Sequence, residues 1–121
     1  MNESHPVETC SRIGQFLARL ADKWSLRVLL ELGPQPRRFG ELKRAIGGVS
    51  QRMLTLTLRN LERDGLVKRT VTPSVPPRVD YELTDLGRSM DGNVRKLGGW
   101  VATNLETIDA ARARYDLDKA T

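Results

Sequence analysis

From Thr9 onward the apolar residues recur at helical spacing. Ile13, Phe16, Leu17 and Leu20 stand three and four apart, and Trp24, Val28, Leu29 and Leu32 repeat the interval, which predicts two helices over 9–33. Gly33-Pro34-Gln35-Pro36 ends that pattern, because proline cannot continue a helix and the residue before it avoids helical backbone. Phe39, Leu42 and Ile46 then form the inner face of a short third helix, and Gly47-Gly48-Val49 reads as a turn. Ser50 is a good N-cap for a fourth helix, Ser50 to Asp64, whose buried side is Leu54, Leu58 and Leu61; Gly65 suits the left-handed position after it. The period then changes. Leu66 to Val71 and Val79 to Leu83 read as two strands around Thr72-Pro73-Ser74-Val75-Pro76-Pro77, where three prolines stiffen the loop and make it project. Thr84 caps a last helix with the stripe Leu86, Met90, Val94, Leu97, Val101, Leu105 and Ile108, interrupted by Gly98-Gly99 beside Trp100. The polar residues 1–7 read as frayed.

This order of elements predicts a mainly α fold with a small β-hairpin, an α+β winged helix-turn-helix with dimerisation helices at both ends. One domain over 1–121 is expected: N-terminal helices over 9–33, the helix-turn-helix and wing over 37–84, and the C-terminal dimerisation helix over 85–115. A length of 121 residues suits one modest core. No apolar run approaches the roughly 20 residues of a membrane helix, and MNESHPVETC lacks the basic and apolar regions of a signal peptide. One cysteine excludes a disulfide within a single chain and fits a cytoplasmic location.

Charge sharpens the picture. The net charge is +5, yet Arg37 to Arg78 holds ten Lys or Arg against three Asp or Glu, a balance of +7, so the remainder sums to −2. A basic excess confined to the helix-turn-helix and wing is the footprint of a polyanion partner, here double-stranded DNA. With its leucines inward, the fourth helix turns Gln51, Arg52, Thr55 and Arg59 outward. Arginine can bind guanine, glutamine can bind adenine, and the threonine methyl can meet thymine. Ser50 and the helix N-terminus suit a phosphate. Leu56 also falls outward, where it either touches a thymine methyl or sugar or packs under the neighbouring turn, the latter being favoured. Lys68, Arg69 and Arg78 are read as flanking the hairpin tip and reaching phosphates or the minor groove. Arg38 and Lys43, with Arg37 and Arg44, stand at the entrance of the third helix as candidate phosphate clamps.

The long last stripe exceeds what so small a domain can cover, so it packs either against its own domain or, the simpler account, against a second copy. Ile13, Phe16 and Leu17 with Met90, Val94, Leu97, Trp100, Val101, Leu105 and Ile108 are the expected homodimer interface. Gly98-Gly99 either lets backbones approach or kinks the helix. Cys10 lies near the first helix's N-terminus close to Arg12, where dipole and cation favour thiolate; it is either a redox or electrophile sensor or a small packing residue. No enzyme is expected: His5 is the one histidine, no Cys/His cluster has metal-ligand spacing, no phosphate-binding glycine loop follows a strand, and no cofactor is implied. Asp85 and Asp91 read as a first-turn acid and a solvated residue. A winged module docking protein or RNA is the alternative to an operator-binding protein.

Several segments resemble the HxlR-type family of bacterial winged-helix regulators, relatives of the MarR group: Cys10, Lys23-Trp24-Ser25, Arg38-Phe39-Gly40-Glu41-Leu42, Val49 to Leu54, Leu58 to Val67, and Val75 to Thr84 with its Pro-Pro-Arg wing. The resemblance spans roughly residues 10 to 105. It implies a homodimer through the first and last helices, an inverted-repeat operator, control of nearby genes and, as the family habit, repression. A cysteine matching Cys10 senses electrophiles or oxidants in several members, in some through a second cysteine of the partner subunit. This sequence holds no second cysteine. The resemblance therefore leaves a Cys10–Cys10 link, a mixed disulfide with a small thiol, or alkylation.

Overall fold

A computed structural model describes residues 7–120; His5 and most of the frayed-tail reading fall outside them. The elements run α1 (Val7–Leu20), α2 (Lys23–Leu32), β1 (Arg37–Arg38), α3 (Phe39–Ile46), α4 (Gln51–Arg63), β2 (Val67–Thr72), β3 (Arg78–Leu83) and α5 (Asp85–Ala120). The chain is mainly helical with a small antiparallel sheet, as the apolar pattern predicts. Its described residues divide into two compact units, 7–91 and 92–120.

In the first unit α2, α3 and α4 surround one apolar core. Val28, Leu29, Leu42, Leu54 and Leu58 are essentially inaccessible, and Leu66, Val67, Tyr81 and Leu83 close the core from the sheet side. Asp22 starts α2 by accepting from the Trp24 and Ser25 amides at 2.8 Å each, while the buried Ser25 hydroxyl donates to its other oxygen. The turn before α4 uses left-handed backbone at Gly47 and Gly48, φ 69° and 70°, a region that costs β-carbon residues strain. Val49 plugs this turn into the core, and Arg27 of α2 donates to the Ile46 carbonyl at the end of α3.

Several features depart from the sequence reading. The sheet has three strands in the order β1-β3-β2, because Arg37 and Arg38 pair with Tyr81 and Asp80. Helix α1 begins at Val7 rather than near Thr9. Asp91, expected in solvent, is 8% exposed.

The first turns of α5 are locked to the end of α4. The Thr84 hydroxyl accepts from the Gly87 amide at 3.0 Å and donates to the Gly65 carbonyl at 2.6 Å, while the Thr84 amide donates to the Leu66 carbonyl. Gly87 is required there, because a β-carbon would stand 2.0 Å from the Leu66 oxygen. The second unit is helix alone, and α5 continues as helix through Gly98-Gly99. Within it, Leu97, Trp100, Val101, Leu105, Tyr115 and Leu117 are exposed.

Candidate nucleic-acid interface

Helix α4 is secured at both ends. The Ser50 hydroxyl accepts from the Met53 amide at 3.0 Å. At the other end Leu66 N–H donates to the Leu61 carbonyl and Gly65 N–H to the Glu62 carbonyl, with Gly65 at φ 79°, a paired termination that satisfies carbonyls the helix cannot. Asp64 stands at the C-cap, where a carboxylate opposes the helix dipole. Arg19 of α1 offsets this by donating to both Asp64 oxygens at 2.7 Å.

With Leu54, Thr57, Leu58 and Leu61 buried, α4 presents Gln51, Arg52 and Arg59 to solvent. Thr55 is half-buried and its hydroxyl donates to the Gln51 carbonyl at 2.8 Å, which leaves the methyl and the oxygen lone pairs for an external partner. Leu56 is 49% exposed, so packing under a neighbouring turn does not describe it. Met53 is exposed too, and the leucine-centred reading of this helix overlooked it. Both are apolar residues standing among arginines on the face turned to solvent.

Beside α4 lies the hairpin. A polar cleft between the two is lined by Thr55, Arg59 and Glu62 from α4 and by Arg69 and Tyr81 from the sheet. Lys68, Arg69 and Arg78 are exposed, but their register corrects the expectation that they flank the tip together. Lys68 opposes Glu82 and Arg69 opposes Tyr81, near the base of the hairpin. Only Arg78, opposite Thr72, adjoins the loop. Arg78 is steered by Asp80, 3.0 Å from its Nε. Arg38 and Lys43 are exposed, and the Arg38 amide donates to Glu41 at 2.8 Å to open α3. Arg37 is drawn toward Glu31 of α2 at 3.9 Å and is the most enclosed of these cations.

Outside this surface, Cys10 is half-buried on α1, between Thr9 and Arg12 of an open groove that Ile13, Phe16 and Leu17 continue. Phe16 and Met90 pack partly against the domain's own core, whereas Leu17, Leu97, Trp100, Val101 and Leu105 are exposed. Among the described residues no cluster of His, Cys, Asp and Glu could hold a metal ion, and no helix is long and apolar enough to cross a membrane.

A capped helix presenting arginine and glutamine, preceded by a tight two-helix turn and followed by a basic hairpin, defines a winged helix-turn-helix protein. Residues 19–109 match the family model described as HxlR-like helix-turn-helix, and the chain belongs to that family. It is 39% identical over 98 residues to the HTH-type transcriptional regulator YtfH of Escherichia coli K12, covering 81% of this chain and 78% of that one. Among solved structures, the ytfH regulator from Salmonella typhimurium superposes with a TM-score of 0.72 at 37% identity, over 82% of this chain and 88% of that one. The redox regulator HypR in its reduced form superposes with a TM-score of 0.75 at 34% identity, over 82% and 98%. The chain is a transcriptional regulator of the HTH class.

Proposed function

We propose that this regulator binds an inverted-repeat operator as a homodimer and represses nearby genes, with α4 in the major groove and the hairpin on the flanking backbone or minor groove. The observation that carries this reading is α4 itself, capped at both ends with Gln51, Arg52, Thr55 and Arg59 turned outward or to the cleft edge. Ser50, Arg38 and Lys43 would hold phosphates before the helix, and Lys68, Arg69 and Arg78 phosphates beside it. The whole of 1–121 acts as one HxlR-type domain, with 37–84 reading DNA and the helices of 9–33 and 85–115 pairing with a second copy. Leu17, Leu97, Trp100, Val101 and Leu105 are the apolar side chains such a partner would cover. The protein works in the cytoplasm, carries out no enzymatic reaction and takes no cofactor.

Cys10 is the proposed point of control by an oxidant or electrophile. The likeness to HypR, a redox regulator by name, supports this, as does the placement of Cys10 on a helix assigned to pairing. Selection from a random DNA library tests the main reading. It should yield two related half-sites about one helical turn, 34 Å, apart. Recovery of single sites, or of no common sequence, would contradict it.

A further inference from the structure

The basic hairpin ends in a loop without charge. From Thr70 to Pro77 there is no ionisable residue, and the sheet's cations stand below the loop. At the apex Val75 is 102% exposed, more than any other large apolar side chain described. Its loop is nonetheless held: the Ser74 hydroxyl donates to the Pro76 carbonyl at 2.7 Å and reaches the Thr72 carbonyl at 3.5 Å, and prolines at 73, 76 and 77 restrict the backbone. An apolar group so exposed contributes nothing to its own fold. Fixing it in place removes the entropy loss that a mobile loop would suffer on docking. Phosphates do not explain it, since valine and proline offer them nothing.

We infer that Val75 is a specificity-determining residue that enters the DNA minor groove beside each half-site, while Arg78 holds the adjoining phosphate. The inference rests on the DNA-binding reading above. Continuity supplies the occupant, because Arg78 and the loop belong to one hairpin next to α4, and a basic base with an apolar tip suits a groove walled by phosphates and deoxyribose. In that groove only G·C pairs project an amino group, the guanine N2, from the floor. A valine pressed against it would strip its water and offer no acceptor in return, whereas A·T pairs present no such donor. The loop therefore favours A·T pairs at the flank through shape and desolvation, with no hydrogen bond to read.

The test uses the intact protein and the selected operator, with flanking pairs as A·T, G·C or inosine·C; inosine lacks the N2 amino group but keeps guanine's major-groove face. The native protein should bind the A·T and inosine·C flanks alike and the G·C flank roughly five- to tenfold more weakly. Val75→Ala should lose roughly fivefold on the A·T flank, cease to discriminate among the three and keep the native salt dependence, because no counterion is released at this contact. Val75→Asp should bind more weakly still, while both variants unfold at the native denaturant midpoint. Unchanged affinity and unchanged flank preference in Val75→Ala would overturn the assignment while leaving operator binding intact, and would turn the tip toward a protein partner. Failure of the native protein to prefer any operator would overturn the DNA reading itself and this inference with it.

Discussion

Arg19 and Asp64, forty-five positions apart, form a two-pronged ion pair that fastens α1 to the C-terminal end of α4. Asp64 is the less accessible partner, with a side chain 19% exposed against 49% for Arg19. Because a carboxylate at a helix C-terminus faces the negative end of the dipole, Arg19→Ala leaves a repulsive contact as well as a lost attraction. Arg19→Ala should therefore destabilise more than Asp64→Asn, with a coupling of about 0.5–1 kcal/mol in a double-mutant cycle by urea unfolding. The coupling should shrink in 1 M salt. Independent, additive effects would show that the pair is only a surface encounter.

Gly87 meets the Leu66 backbone more closely than any larger residue permits. Gly87→Ala should cost about 2–3 kcal/mol or more, because the clash is with main chain rather than a yielding side-chain end. Gly14→Ala, on the open side of α1, is the control and should be neutral or stabilising. A native-like unfolding midpoint for Gly87→Ala would mean that α5 can shift away at little cost.

Arg52 and Arg78 should divide the work of recognition. Arg52 stands exposed on α4, whereas Arg78 is steered by Asp80 beside the hairpin loop. Arg52→Ala should relax sequence preference at one position at a cost of about 1–3 kcal/mol, and Arg78→Ala should weaken specific and random DNA alike. Anisotropy titrations on both DNAs decide this, and equal losses for both variants on both DNAs would end the distinction.

Much of this was legible in the sequence, for identifiable reasons. The leucines of α2 to α4 keep strict helical spacing, and Ser50, Gly65 and Thr84 each carry a local capping signal that tertiary packing does not override. What stayed hidden depends on partners distant in the chain. The strand at Arg37–Arg38 is two residues long, too short to show a period, and exists because β3 offers a free edge. The burial of Asp91 and the clasp of Arg19 on Asp64 have no sequence signature. The register that separates Lys68 and Arg69 from the hairpin tip is set by the pairing with β3. The candidate site is readable as a set of exposed cations around α4, with Leu56 on its outward face and Val75 in a projecting loop, but the exposure of Met53 and the full exposure of Val75 carry no signal in the sequence. How far an apolar side chain stands in solvent is set by the backbone around it.

Cys10 shares α1 with Arg19, so chemistry at the thiol acts on the helix clasped to α4. Diamide treatment should lower operator affinity at least tenfold, and a thiol reductant should restore it. Cys10→Ser should bind as the untreated protein does and ignore diamide. Indifference of the native protein to oxidant would make Cys10 a packing residue.

Sequence-specific binding to DNA is the claim on which the rest depends. Fluorescence anisotropy of a duplex from the gene's own upstream region, with random duplex as competitor, measures it over a series of salt concentrations. Sequence-specific binding predicts preference for the upstream duplex and a log–log salt slope of about −4 or steeper, since each phosphate contact contributes roughly −0.9. A shallow slope without preference between the two duplexes would contradict it.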